Sequence, residues 1–185
     1  MSEKKTISLS KHLNVSRKQL EEKGVFDSTL GIDTKLFIDP KLLTNSDIPE
    51  FSKSRELILD YFNNLINIHK KSAKIPRLQK IAIDMLAVKE PIGLSIGYGE
   101  KTDKGTAISK PVAKEILLSA TEMLSVGVED PEIMELLGLF VENFGPDSIS
   151  DLNAHIIYED LCNFTQRVSD ELNLDNLVRI KYLLN

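Results

Sequence analysis

The sequence predicts a mainly α-helical single domain with six or seven helices and one or two short β-strands. Apolar residues recur at helical spacing over most of the 185-residue chain, and proline or glycine stands at most of the expected helix boundaries. Hydrophobic residues make up 42% and charged residues 28%, as in ordinary globular domains. We therefore expect one domain with a single apolar core.

The N-terminal elements are expected to be short. A flexible tail over residues 1–6 precedes a helix over residues 16–23, which Gly24 ends. The apolar residues 36–38 predict a short strand. An Asp-Pro pair at residues 39–40 then supplies an N-cap and a first-turn proline for a brief helix.

The middle of the chain has the clearest helical pattern. Apolar residues recur every three or four positions from Ser54 to Ser72, which predicts a long amphipathic helix. A shorter helix is expected over residues 77–87. Four glycines within residues 93–108 indicate a loop or hairpin. Helical spacing resumes over residues 112–124, and Gly127 is the expected end of that helix.

Three further helices are predicted in the C-terminal third. Residues 133–144 are apolar around most of a helical circumference, so we expect this helix to be central in the core. A long helix over residues 148–172 and a last one over residues 175–184 should follow. Cys162 is the only cysteine, and its apolar neighbours predict a packing position.

Composition argues against several functional classes. The net charge of −5 gives no support to a broad basic surface for nucleic acid, although a local basic patch stays open. The first residues lack the apolar core of a secretion signal, and no stretch has the roughly 18 apolar residues of a membrane span. We expect a cytoplasmic protein. The glycine-rich segment lacks the ending of a P-loop, so the pattern gives little support to a nucleotide cofactor.

The segment FGPDSISDLNAHI is the most direct indication of chemistry. Asp147, Asp151 and His155 recur every four residues, so a helix would place them in one slowly turning polar stripe with Glu159. Together with Asp39, the two aspartates could bind Mg²⁺ or Mn²⁺, with His155 as a further ligand or a general base. Such a site activates water for phosphodiester hydrolysis.

A structural interpretation of the same residues is favoured. Ser148 and Asp151 have the spacing of a capping box, and negative charge in a first turn is stabilised by the helix dipole. Asp33 and Asp39 bracket the predicted strand, where turn formation and capping explain them without a metal. Only His155 then lacks a structural explanation.

A DNA-binding segment is a third alternative. Residues 8–24 resemble the start of a helix-turn-helix, in which Ser16, Arg17, Lys18 and Gln19 would contact DNA. Gly24 and the residues after it leave only one short helix, so an ordinary amphipathic segment is favoured.

Two segments, GVFDSTLGIDTKLFIDPKLL and FGPDSISDLNAHIIYEDLCNFTQ, resemble stretches of longer, uncharacterised bacterial proteins, some associated with phage-defence or mobile-element loci. The resemblance implies that the segments around Asp33, Asp39, Asp147 and Asp151 assemble together. It also implies that a protein partner or a further C-terminal domain supplies the chemistry of the longer relatives. This chain would then be the N-terminal part of a longer architecture.

The favoured function is a helical interaction module of a bacterial defence-type or mobile-element system that binds a protein partner. The glycine-rich loop and the polar stripe would face that partner. The alternative is a metal-dependent nuclease or phosphoesterase that uses the carboxylate cluster, and the third is the DNA-binding module.

Overall fold

Eight α-helices make up more than half of the residues that the computed structural model describes, namely 7–89, 91, 93–94, 96–97, 107–125, 127 and 137–174. In chain order they are α1 (Leu9–Leu13), α2 (Arg17–Glu22), α3 (Pro40–Leu43), α4 (Ser54–Ser72), α5 (Arg77–Leu86), α6 (Lys110–Ser125), α7 (Pro146–Ile156) and α8 (Tyr158–Glu171). Short 3₁₀ turns lie at Pro49–Phe51 and Leu137–Leu139. The predicted mainly α-helical single domain is confirmed, with more helices than the six or seven expected.

The short N-terminal helices are defined by their caps. The sequence pattern did not predict α1, which has Ser8 as its N-cap and Asn14, in the left-handed conformation, as its C-cap. α2 has a complete capping box between Ser16 and Gln19. Gly24 follows α2 with a φ of +75°, a conformation in which glycine has no steric penalty. The cap that ends this helix is therefore as predicted.

The core lies between α4, α5, α6 and α7. α4 packs against α5 and α7, and α5 packs against α6. These helices share the i, i+3, i+4 apolar spacing that buries one face of each. The large side chains that are fully buried include Ile58, Leu65, Leu86, Ile116, Leu117 and Leu152.

α8 lies against the 3₁₀ turn Pro49–Phe51 and against α7. The rings of Phe51 and Phe164 are 5.4 Å apart between centroids. Arg167 donates to both carboxylate oxygens of Glu50, at 2.6 and 3.2 Å. Aromatic packing and a bidentate ion pair therefore hold α8 onto the segment before α4.

The predicted long helix over residues 148–172 is two helices. Ile157, with φ −96° and ψ 22°, separates α7 from α8. The prediction that Cys162 packs against the core is wrong, because Cys162 is exposed. The predicted helix over residues 175–184 lies outside the residues described.

The helix predicted over residues 133–144 is wrong where it can be checked. Residues 133–136 lie outside the described part of the chain, and a 3₁₀ turn and bends follow them. Leu139 and Phe140 are 77% and 67% exposed, whereas Val141 and Phe144 are buried in the core. The apolar run is therefore divided between the core and the surface.

The strand predicted over residues 36–38 does not form. The β-pairing in the described part of the chain consists of isolated bridges, Ser8 with Thr29 and Thr34 with Ile96. The expected tail over residues 1–6 lies outside the described residues. Among the helices that the structure describes, none combines the length and the apolar character that crossing a membrane requires.

Candidate functional site

Three segments that the sequence analysis singled out meet in space. They are residues 34–39, residues 96–97 and α7, and we call their meeting point the junction. Thr34 forms a parallel bridge with Ile96. The backbone amide of Gly97 donates to the carbonyl of Thr34 at 2.8 Å. The glycine-rich segment is thus bound to the segment that precedes Asp39, whereas most of residues 93–108, where a loop or hairpin is predicted, lies outside the described residues.

Side chains of α7 bind the backbone of residue 38. The amide of Ile38 donates to Oγ of Ser150 at 2.9 Å, and Nδ2 of Asn153 donates to the carbonyl of Ile38 at 3.2 Å. Ser150 is 2% exposed and Asn153 is fully buried. These bonds satisfy the backbone groups that a neighbouring strand would otherwise satisfy.

Asn153 also has an acceptor without a partner. Its Oδ1 is buried, and no hydrogen bond to it occurs in the part of the chain that the structure describes. Neither Asn153 nor Ser150 was predicted from the sequence as a functional residue, because neither stands out by chemistry or charge.

Asp147 lies against the backbone of Gly97. A Cβ atom built at Gly97 would collide with Oδ1 of Asp147, and Gly97 is buried with a φ of +118°. The space and the backbone conformation both require glycine at this position. Asp147 lies in the first turn of α7, where the helix dipole favours a negative charge.

The capping box predicted for Ser148 and Asp151 is wrong. α7 begins three residues earlier than that motif requires, with Gly145 as the N-cap in place of Ser148 and Pro146 in the first turn, and Gly145 makes no side-chain cap bond. Asp151 therefore lies in the second turn of the helix. It is only 8% exposed, and it interacts with other groups of the protein.

Asp39 and His155 are the two exposed members of the predicted metal site. Asp39 is exposed and caps α3, because its Oδ1 accepts a hydrogen bond of 2.8 Å from the amide of Lys41. His155 is exposed on the last turn of α7. Partial burial of its ring lowers the pKa of His155 below the ordinary value. The polar stripe is therefore half-buried at Asp147, buried at Asp151 and exposed from His155 onward.

The assembled segments do not bring together a set of metal ligands. Within the described residues, no group of three or more His, Cys, Asp or Glu side chains could hold a metal ion. Acidic residues in 98–106 and 128–136 lie outside that part of the chain. A Mg²⁺ or Mn²⁺ site at Asp39, Asp147 and Asp151, with His155 as the base, stays a prediction.

The side chains expected to contact DNA mostly stabilise α2 itself. Ser16 and Gln19 form the capping box, and Arg17 pairs with Glu21 at 2.8 Å. Lys18 lies 3.8 Å from Glu22. The capping box and the ion pairs therefore explain these four side chains without a role in DNA binding.

Large apolar side chains are concentrated at the surface of residues 26–42, which we call the apolar segment. Phe26 is 56%, Ile32 50%, Leu36 42% and Leu42 71% exposed. They are four of the eleven large apolar side chains that are exposed in the described residues, yet the segment makes up only 17 of the 146 residues described. Sequence periodicity could not identify them, because most of the segment has no helical or strand repeat.

Most of the chain matches a known protein family. Residues 14–182 match the family described as Domain of unknown function (DUF8370), and this range includes the junction and the whole apolar segment. No curated protein and no solved structure matches the chain.

Proposed function

The chain belongs to this family, and from its surface we propose that it is a cytoplasmic helical module that binds a protein partner through the apolar segment. The resemblance to bacterial proteins of phage-defence and mobile-element loci supports placing the module in such a system. The observation that carries the proposal is the exposure of Phe26, Ile32, Leu36 and Leu42 within 17 residues.

Ile7 extends the apolar segment. The amide of Leu30 donates to the carbonyl of Ile7 at 2.8 Å, and Ser8 forms an antiparallel bridge with Thr29. This pairing places Ile7, which is 40% exposed, beside residue 30. Scattered apolar side chains are normal on a protein surface, whereas a concentration of them is typical of interaction sites.

The apolar segment is held in place before any partner binds. The amide and hydroxyl of Ser10 each donate to a carboxylate oxygen of Asp27 at 2.8 Å. These bonds lower the pKa of Asp27 below its ordinary value. The junction fixes Ile38 near the other end of the segment. A preorganised segment loses less conformational entropy on binding than a mobile one.

The charge of the apolar segment favours a protein as its partner. The segment contains the acids Asp27, Asp33 and Asp39 and the bases Lys35 and Lys41. It therefore has no excess of positive charge with which to bind a polyanion. Apolar side chains with a few mixed charges at their edges match the composition of protein interfaces.

Purification with the natural partner tests the proposal. The tagged protein should retain one protein in a fixed ratio from its host, and the two purified chains should reassemble. Phe26→Ser with Leu42→Ser should reduce the affinity at least tenfold, because apolar anchors contribute most of the binding energy. Leu118→Ser is the control, because Leu118 is 64% exposed on α6, outside this segment.

The reassembly experiment also has outcomes that contradict the proposal. Equal affinity of the Phe26→Ser/Leu42→Ser variant and the wild type would place the interface elsewhere. A complex that contains only this chain would make the apolar segment a self-association surface. Melting temperatures of all variants show whether a lost interaction reflects unfolding.

A further inference from the structure

A second surface, of opposite character, lies where α4 is connected to α5. From residue 61 to residue 83 the sequence has no acidic residue and five Lys or Arg, although the whole chain has a net charge of −5. We call four of these residues the basic corner: Lys71, Lys74, Arg77 and Lys80. All four are exposed.

The basic corner is a compact, fixed turn. α4 ends at Ser72 and α5 begins at Arg77. The amides of Lys74 and Ile75 both donate to the carbonyl of Lys71 at 3.1 Å. The Ser72 hydroxyl donates to Oε1 of Gln79 at 2.8 Å, which ties the two helices together across the turn. Four cationic side chains therefore project from one corner within ten residues.

Local helix electrostatics explains only part of this charge. Lys71 lies in the last turn of α4, where the helix dipole stabilises a cation. Arg77 is the first residue of α5 and Lys80 is one turn further on, where the same effect disfavours a cation. The first turn of α5 contains no acid, and its N-cap, Pro76, provides no side-chain cap.

Ion pairs do not explain the remaining charge. Within the described residues, no hydrogen bond or salt bridge involves the side chains of Lys71, Lys74 or Arg77. Lys80 interacts electrostatically with Asp84, but Oδ1 of Asp84 already accepts a bond of 2.7 Å from Lys110. The basic corner thus places cations where the fold gains little from them.

We propose that the basic corner binds the phosphate backbone of double-stranded nucleic acid without reading its sequence. A cluster of exposed cations binds phosphates by releasing counterions, and it requires no shape complementarity. No Phe, Tyr or Trp occurs between residues 63 and 97, and the ring of His69 is bound to Thr121, so the corner has no free aromatic side chain on which unpaired bases could stack. A duplex therefore suits this surface better than a single strand. The proposal is independent of the apolar segment.

Binding to a fluorescent 20-base-pair duplex at low salt, with the full chain, tests the inference. Lys74→Glu with Arg77→Glu should weaken binding at least tenfold. The matched control, Lys53→Glu with Lys114→Glu, has the same change in net charge on exposed residues elsewhere and should change affinity less than threefold. The melting temperature of the Arg77→Glu variant should not fall, because an acid in a first turn is favoured.

The salt dependence provides a second measurement. With four cations in contact, log K should fall with log salt at a slope of about −3 to −4, and the double variant should lose about half of that slope. Absence of duplex binding at low salt would overturn the proposal. Equal losses in the double variant and its control would also overturn it, as would stronger binding to poly-glutamate or anionic vesicles than to the duplex.

Discussion

The side-chain amide of Asn153 donates to the backbone carbonyl of Ile38 at 3.2 Å, across 115 positions of the sequence. Together with the bond from the Ile38 amide to Ser150, it replaces the pairing of a β-strand with two side chains of a helix. The same contact fixes one end of the apolar segment on the core. The stability of the junction and the presentation of the proposed interface are therefore linked.

Removing the Asn153 amide should destabilise the fold. Asn153→Ala leaves the carbonyl of Ile38 without its partner, and we expect a loss of about 1–3 kcal/mol in the free energy of unfolding. Asn67→Ala, at an exposed position of α4, should not lower it measurably. Urea denaturation measures the free energy of unfolding of both variants. Equal midpoints for wild type and Asn153→Ala would show that the junction contributes little to stability.

Gly97→Ala should be destabilising because of Asp147. The left-handed backbone alone costs about 1–3 kcal/mol for a residue with a Cβ, and the collision with Oδ1 of Asp147 adds to this cost. Gly93→Ala is the matched control, because Gly93 has a φ of +86° and open space around it.

A double-mutant cycle isolates the collision. In the Asp147→Ala background, Gly97→Ala should cost less than it does in the wild type, since the colliding oxygen is gone. If the losses of unfolding free energy for Gly97→Ala and Asp147→Ala were strictly additive, this would contradict the contact between the glycine-rich segment and α7.

Mild acid should weaken the contact between α4 and α6 through His69. Nε2 of His69 lies 2.6 Å from Oγ1 of Thr121, whose hydroxyl donates to the carbonyl of Leu117, so Nε2 carries the proton of the neutral ring. Nδ1 is buried and has no hydrogen-bond partner within the described residues. Desolvation lowers the pKa of His69 below its ordinary 6.5.

The direction of the pH effect follows from this shift. The unfolded chain takes up a proton near pH 6.5, whereas folded His69 does so only at lower pH. The contribution of neutral His69 is full above the unfolded pKa and is lost as pH falls toward the folded pKa. In the His69→Gln variant, the unfolding free energy should therefore decrease less steeply than in the wild type as the pH falls below about 6.5. If the unfolding free energy of the wild type and of His69→Gln depended on pH in the same way, His69 would not be responsible for the effect. NMR titration of the His69 ring checks its pKa directly.

The pair of Arg167 and Glu50 should contribute more than surface ion pairs do. Their side chains are 32% and 14% exposed, against 73% and 57% for Arg17 and Glu21. Arg167→Ala should lower the urea midpoint several times more than Arg17→Ala, since exposed i, i+4 pairs contribute little. Arg167→Lys should be intermediate, because lysine keeps the charge without the bidentate geometry. If Arg167→Ala and Arg17→Ala lowered the urea midpoint equally, the ion pair of Arg167 with Glu50 would not be what holds α8 in place.

Sequence periodicity predicted the elements whose hydrogen bonds are local. The predicted bounds of α4, Ser54 to Ser72, are those of the structure, because one face of that helix is continuously apolar. The pattern could not show the break at Ile157, since a single non-helical residue shifts the apolar phase too little to interrupt it. The apolar run at residues 36–38 predicted a strand, but it could not show that side chains of a helix would bind this backbone.

The candidate site was predicted only at the level of its segments. The resemblance implied that the stretches around Asp33 and Asp147 assemble, and the junction brings these stretches together. The contacts themselves depend on Ser150, Asn153 and Gly97, whose importance comes from partners far away in the sequence. Exposure of an apolar side chain such as Leu42 is likewise a tertiary property that local spacing does not encode.

The most direct test of the proposed interface is photo-cross-linking inside the host cell. A photoreactive phenylalanine analogue would replace Leu42, which is 71% exposed, or Leu118, which is 64% exposed on α6. We predict one cross-linked partner protein from position 42 and none from position 118. Equal cross-linking from both positions, or cross-links from position 42 only to a second copy of this chain, would contradict binding of a protein partner through the apolar segment.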